Sequence, residues 1–467
     1  MCKIEMKTAR VFIYIIIIMS EFDVNNDLEL ELELESAIYE SIDDYIVENI
    51  LQMADPKFHT MLLQEITEQI IIMWQSHNMM CCPIENNDLE IDDDLYDDIE
   101  VIANKMIDKY FELSSFHWDI PLRSHKQFDS IKSVPQTDLA NTIEWLRNIP
   151  QPVQRTPEWY QFRHGLITAS NLAKIFGSEA LRNSLIYEKC QPLIETVGAG
   201  RTNIGTNNPM HWGQKYEPVS IMIYESMVNT HVTDFGCIRH PKYPFIGASP
   251  DGINCNPEKE RYGRMLEVKN IVNREIDGIP SKTYWIQMQI QMETCDLNEC
   301  DFLETRIMEY PLMDEGGEQH PIYTDDQHVY KGVILYFVQR ITLANLGEKN
   351  GSPHYEYMPL TVSLDHESVE EWIAQMRDQL RDQWTLYETK YWYLEEYSCV
   401  LVERNRAWFS AAVPKIEETW NTILRERETG YQHRAAKKRS SSIDKTQQSL
   451  LGSKSVCLVK LDHSSEE

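Results

Sequence analysis

Residues 246–269 begin Ile246-Gly247-Ala248-Ser249-Pro250-Asp251-Gly252-Ile253 and, after a polar excursion, end Met265-Leu266-Glu267-Val268-Lys269. The first half is a short apolar run that stops at Pro-Asp-Gly, where proline presets φ, aspartate bonds to nearby backbone and glycine accepts a turn. The second half alternates apolar and polar residues. In a strand, side chains project to opposite faces in turn, so Leu266 and Val268 point one way and Glu267 and Lys269 the other. Pairing the two halves as strands brings Asp251 beside Glu267, with Lys269 next to both. Two carboxylates with open positions suit a hard divalent cation such as magnesium, and a lysine there can orient water or offset developing negative charge. The set is suited to phosphodiester hydrolysis. The same residues also fit an ordinary half-buried strand with a wet face, so the flanking sequence has to decide.

Upstream lies Trp159-Tyr160-Gln161-Phe162-Arg163-His164-Gly165-Leu166-Ile167-Thr168-Ala169-Ser170, and then Trp212-Gly213-Gln214-Lys215-Tyr216-Glu217. Downstream lies Tyr284-Trp285-Ile286-Gln287-Met288-Gln289. With the central pair, this ordered series resembles the YqaJ-like viral recombinase and phage lambda-type exonuclease family, within the PD-(D/E)xK nuclease superfamily. The resemblance covers about 155–310 and, more loosely, the chain to about 428. It implies an α/β fold, a restriction-endonuclease-like core with a central mixed sheet flanked by helices. It implies that Glu217, Asp251 and Glu267 hold one or two magnesium or manganese ions, with the Val268 carbonyl completing the shell. It further implies that Lys269 is the catalytic lysine, that Gln287 faces the active site, and that Arg163 and Ser170, assisted by Ser249, receive a terminal 5′-phosphate.

Elementary chemistry supports the phosphate assignment separately. Ser170 is expected just before a short helix, Asn171 to Phe176, whose free N–H groups favour anions. Arg163 adds a forked, permanently charged donor set. Without the motif series, an ordinary cap and a surface ion pair would explain both residues. Gln287 and Gln291 are four apart and share a helix face, with Gln291 expected as a solvated neighbour. Trp285, Met288 and Met292 read as core.

The chain has 467 residues and a formal net charge of −30. So acidic a protein binds nucleic acid only through a locally basic site. The charge is uneven: residues 1–135 hold 9 Lys and Arg against 28 Asp and Glu, whereas 155–310 hold 16 against 19. The acidity therefore belongs mainly to a separate module. The 10 cysteines form no Cys-x-x-Cys framework, which fits reduced thiols in an intracellular protein and argues against the iron–sulfur branch of the superfamily. Val11 to Met19 is apolar but too short to span a bilayer; a buried strand or helix start is expected there rather than a signal peptide.

No glycine precedes Gly165, so residues 1–135 read as an acidic, mainly helical module. Leu28 to Glu35 is ambiguous between helix and strand, whereas Ser36 to Met53 and Lys57 to Trp74 are amphipathic. The run Asp92 to Asp98 reads as a solvated face. Cys81-Cys82 near His77 lacks the spacing of a structural zinc site. Residues 136–154 read as a linker containing a short helix, Asp138 to Asn148, and 155–428 as the exonuclease domain. Strands are expected at Phe302–Glu309, Val329–Leu343 and Tyr355–Val362, flanking an acidic loop, Asp314 to Asp326. A helix is expected from Asp365 to Arg406, and a closing one through Trp408 and Trp420. Residues 429–467 read as a disordered polar tail, with a basic cluster at Arg434 and Lys437-Lys438-Arg439 that is a nuclear-targeting signal, a DNA tether or plain tail.

The expected activity is a metal-dependent 5′-to-3′ exonuclease acting on duplex DNA ends in recombination, repair or replication. The rivals are an endonuclease or RNA-degrading enzyme of the same superfamily and a non-catalytic DNA-binding scaffold. The acidic module is a candidate docking site for a single-strand annealing or replication protein, homo-oligomers are possible, and no membrane partner is expected. A viral source would place the protein in the host cytoplasm or nucleus.

Overall fold

The computed structural model describes residues 28–81, 93–114, 120–124, 139–154, 156–193, 209–311, 320–340 and 353–436. The apolar run at 11–19, residues 82–92, the start of the acidic loop and the tail beyond 436 lie outside the described residues.

The helices in the N-terminal part are α1 (Leu28–Glu48), α2 (Phe58–Cys81) and α3 (Asp93–Ser114), with a 3-10 turn at Ile50–Ala54. The ambiguous Leu-Glu repeat thus joins a helix, as both residue types favour. Ile38, Ile42 and Ile46 of α1 meet Leu62, Ile66 and Ile70 of α2 and Ile99, Ala103 and Ile107 of α3, all buried. These spacings of four put one stripe of each helix into a common core. After α4 (Leu139–Asn148) come α5 (Pro157–His164), β1 (Ile167–Thr168), α6 (Ala169–Leu172) with a 3-10 extension to Phe176, α7 (Glu179–Cys190) and α8 (Pro209–Met227). Short strands follow: β2 (Val232–Thr233), β3 (Ile238–Arg239), β4 (Ile246–Ala248) and β5 (Gly252–Asn254). The chain then forms β6 (Met265–Asn270), α9 (Lys282–Cys295), β7 (Glu299–Glu309), β8 (Lys331–Gln339), β9 (His354–Tyr357), α10 (His366–Leu380), β10 (Trp384–Glu403) and α11 (Arg406–Thr429).

The central sheet has seven strands in the order β2-β5-β6-β7-β10-β8-β9, and a small sheet has the order β1-β4-β3. Among the described strands of the large sheet only β6 and β7 run parallel. A parallel pair needs a crossover, and α9 is that crossover. On β6, Leu266 and Val268 join an apolar cluster with Tyr224 of α8. Glu267, on the opposite face, receives the amides of α9. The architecture is the expected mixed sheet flanked by helices.

The sequence reading errs at β10. The helix expected from Asp365 to Arg406 ends at Leu380, and Trp384–Glu403 is a 20-residue strand paired on both sides, with β7 and β8. Thr385, Tyr387, Thr389, Tyr391 and Tyr393 recur every second residue, and aromatic and β-branched side chains fit a pleated surface. The aromatic segment is therefore built into a sheet.

Nor is the described part of 136–154 a loose connector. Leu139, Ile143 and Leu146 are buried, and the Gln151 side-chain oxygen accepts from the Gly236 N–H at 2.6 Å. At the other end Arg434 is tied to Glu426 at 2.5 Å, and also to Asn183. The acidic unit abuts the rest: Met53 and Ala54 are buried in the same apolar cluster as Trp285 and Trp408, and the Asn405 amide meets the Met53 sulfur at 3.4 Å. Arg123 donates to the carbonyls of Ala54, at 3.2 Å, and Pro280, and its own carbonyl accepts from the Trp285 indole at 2.9 Å. No helix among the described residues is long and apolar enough to cross a membrane.

Candidate active site

Asp251 ends the turn between β4 and β5, and β5 pairs with β6 so that Gly252 faces Leu266. Asp251 is thereby set beside the middle of β6, where its Oδ2 accepts the Val268 N–H at 2.8 Å. Glu267 is completely buried. Its Oε1 accepts from the Lys269 ammonium and from Gln287 Nε2 at 2.6 Å, while Oε2 accepts from Gln291 Nε2 at 2.7 Å. Lys269 also lies 5.0 Å from the centre of the Tyr284 ring.

Gln287 and Gln291 reach Glu267 because they stand one turn apart on the face of α9 toward β6. The expected solvated role of Gln291 is corrected: it is wholly buried, and its amide also donates to the Ser249 carbonyl at 3.1 Å. Its i+4 spacing from Gln287 was the available signal. Trp285, Met288 and Met292 are core, as their stripe suggested.

Glu217 approaches from α8, just before Pro218, an interior proline that leaves the Gln214 carbonyl without its helical N–H partner. Below it on α8, the Ser220 hydroxyl contacts Asn270 at 2.9 Å and Thr305 at 2.8 Å, which fixes the helix to the end of β6 and the interior of β7.

Electrostatics tie the group together. Burial raises the Asp251 carboxyl well above the usual carboxylate range, and the charge of Glu267 adds to the rise. Burial followed by Glu267 likewise raises Glu217. Burial alone would lower Lys269, but the carboxylates of Glu267 and Asp251 outweigh it and hold the ammonium protonated. Three acids against one lysine leave an excess of negative charge in a poorly solvated place, which a hard divalent cation would offset. Among the described residues no three His, Cys, Asp or Glu side chains already stand together as a metal-ligand group. Glu267 instead faces its three nitrogen donors. The donor chemistry nevertheless fits: Asp251 keeps one oxygen without a hydrogen bond among the described residues, and Glu217 accepts none there.

The residues expected to receive a terminal phosphate meet only in part. The antiparallel β3–β4 pair sets Ile238 opposite Ala248, which brings Cys237 across from Ser249. The buried Cys237 thiol lies within hydrogen-bonding reach of the Ser249 hydroxyl and the Arg163 guanidinium. Arg163 lies 4.5 Å from the centre of the Trp159 ring. Ser170 is not the residue before a helix: α6 starts at Ala169 after Thr168, spans four residues and holds Ser170 in its first turn. That short turn removes the helix-terminus argument. The exposed Ser170 hydroxyl contacts Thr168 Oγ1 at 3.2 Å. Because β1 runs parallel to β4 with Thr168 opposite Gly247, Ser170 and Ser249 emerge from the same end of the small sheet. Gln291 connects this corner to the acids, since one amide nitrogen serves both Glu267 and Ser249.

Residues 158–298 match the family model of the YqaJ-like viral recombinase domain. A protein of Acanthamoeba polyphaga mimivirus described as uncharacterized is 26% identical over 337 residues, which is 68% of this chain and 59% of that protein. The chain thus spans about three fifths of the length of this relative. An alkaline exonuclease from Laribacter hongkongensis, LHK-Exo, aligns with TM-score 0.33 and 19% identity over 59% of this chain and 95% of its own, and its complex with dAMP aligns equally. The acids Glu217, Asp251 and Glu267, with Lys269 and both glutamines, all fall within the matched domain.

Proposed function

We propose that this chain is a divalent-metal-dependent deoxyribonuclease that degrades linear duplex DNA from its 5′ ends in viral-type recombination, repair or replication. The observation that carries the reading is the Glu267 carboxylate, buried at the meeting of β6 and α9 between Lys269, Gln287 and Gln291, with Asp251 and Glu217 beside it. Its place inside a YqaJ-like recombinase domain supports the reading further.

Glu217, Asp251, Glu267 and the Val268 carbonyl are the groups that would hold one or two magnesium or manganese ions. Such an ion, when bound, supplies charge stabilisation to the phosphoryl oxygens and favours ionisation of water. Lys269, kept protonated by its carboxylate neighbours, orients the attacking water and offsets charge on the phosphoryl group. Gln287 and Gln291 hold Glu267 in one rotamer, so little reorganisation is needed as charge develops. Arg163 and Ser249, with Ser170 alongside, grip the terminal phosphate and set the register of the strand against the acids.

The test uses purified full-length chain on end-labelled linear duplex, with 5′-phosphate or 5′-hydroxyl ends, and on closed circles, each with magnesium, manganese, calcium or chelator. The expected result is digestion of the linear duplexes with magnesium or manganese, faster from phosphorylated ends, with calcium permitting binding only. Lys269→Ala should be at least ~100-fold slower, as for loss of a positioned charge at a reacting group. Efficient cutting of closed circles would establish an endonuclease instead. Full activity of Lys269→Ala would displace the assigned site.

A further inference from the structure

The corner below Ser249 holds more positive charge than the sequence reading placed there. Lys189, in the last turn of α7, is 8% exposed, and its ammonium donates to the Arg163 carbonyl at 2.9 Å. Among the described residues it makes no ion pair. Its neighbour Glu188 is exposed and bonds to Lys174 at 3.3 Å. Arg163 also has no carboxylate partner among the described residues. Behind them Arg427, from the last turn of α11, donates to the Lys189 carbonyl at 2.7 Å and the His164 carbonyl at 2.8 Å. Three cations thus converge where α5, α7 and α11 end. A buried charge is expensive unless something pairs it.

Lys189 is lowered to about 8, by burial first and then by the charge of Arg163. Cys237, which is within reach of Arg163 and Ser249, is close enough for Lys189 to influence its thiol. The ammonium is held on the Arg163 main chain, and Cys237 lies across the β3–β4 ladder from Ser249.

We propose that Lys189 is a specificity residue of the end-binding corner, supplying the second positive charge that a terminal phosphate monoester needs and an internal phosphodiester does not. A monoester loses its second proton near pH 6 and is a dianion under working conditions. A diester within the strand carries one charge. Arg163 alone matches the diester, whereas Arg163 with Lys189 matches the dianion. This assignment rests on the reading of the chain as a nuclease acting from 5′ ends, and it names the feature of the end that is read.

Lys189 also has a plain structural task, since its ammonium caps the Arg163 carbonyl at the end of α5, which otherwise accepts, among the described residues, only from the backbone N–H groups just after the helix. The experiment separates task from charge. Initiation is timed for the full-length protein with magnesium on three duplexes, ending in 5′-phosphate, 5′-methyl phosphate (a single charge) or 5′-hydroxyl. Wild-type protein should start on the phosphate at least ~10-fold faster than on the methyl phosphate, in line with one charge-assisted hydrogen bond. Lys189→Gln keeps a donor for the Arg163 carbonyl but no charge, and should shrink that ratio to within ~2-fold. Lys189→Arg, with its charge restored, should recover most of it. A wild-type ratio near one overturns the assignment whether or not the variants fold, and so does an unchanged ratio in a folded Lys189→Gln protein. A wild-type protein that cuts none of the three duplexes overturns the nuclease reading itself, and one that cuts closed circles as fast overturns the reading of action from ends; either takes the role of Lys189 with it.

Discussion

Asp251 gives up stability for function. Its carboxyl is pushed upward by burial and by Glu267, so between its unfolded value and its raised folded value the folded chain binds more protons than the unfolded one. Stability contributed at this residue therefore falls as pH rises through that window. Asp251→Asn keeps an oxygen for the Val268 N–H and removes the charge. Without divalent ions it should melt later than wild type at neutral pH, by of order 1 kcal/mol, and the gain should vanish once the pH is low enough to protonate Asp251 in the unfolded chain as well. Added magnesium should stabilise the wild type and leave the variant unmoved, as thermal melts over pH and metal will read. The positions of Asp251, Glu267 and Lys269 were legible because strand alternation and a turn at Pro-Asp-Gly are local facts, and that of Gln287 followed from the resemblance. Lys189 and Cys237 were not, because only the packing of α5, α7 and β3 against each other brings them to Arg163. Ser170 was misread because the helix begins two residues earlier than its Ser-Asn signal suggests.

At the scale of elements, β6 and α9 were plain in the sequence, the one from period two and the other from its Gln and Met stripe. The strand β10 was not. Its glutamates, lysine and leucines favour a helix locally, and the long-range partners β7 and β8 decide against it. Gly332 on β8 lies opposite Trp392 of β10, whose indole is fully buried. A Cβ added at Gly332 would come within 2.9 Å of that ring. Gly332→Ala should therefore destabilise the protein by about 1–3 kcal/mol through overpacking, measurable as a lower denaturant midpoint. An unchanged midpoint would mean that Trp392 has room to retreat.

For the molecule as a whole, the change in charge near residue 135 suggested two independent bodies, but apolar packing crosses it. Met53 and Ala54 cover α9 and α11, and Arg123 bonds to both sides. A chain starting near Val134 uncovers Trp285 and Trp408, which meet edge to face at 5.2 Å, just behind the helix that carries Gln287 and Gln291. That truncation should melt clearly below the full chain and aggregate on heating, and a melting curve equal to the full chain's would restore the picture of a separable module. The order of the central sheet bears on how the molecule is made. Because β10 sits between β7 and β8, an interior strand of the sheet is synthesised after both of its neighbours. While the ribosome is still translating residues 340–383, β7 and β8 each expose an unpaired edge, and neither can be satisfied by the other without closing the gap that β10 must enter. The nascent chain thus passes through a stage at which premature edge-to-edge pairing, within one chain or between two on a polysome, competes with folding.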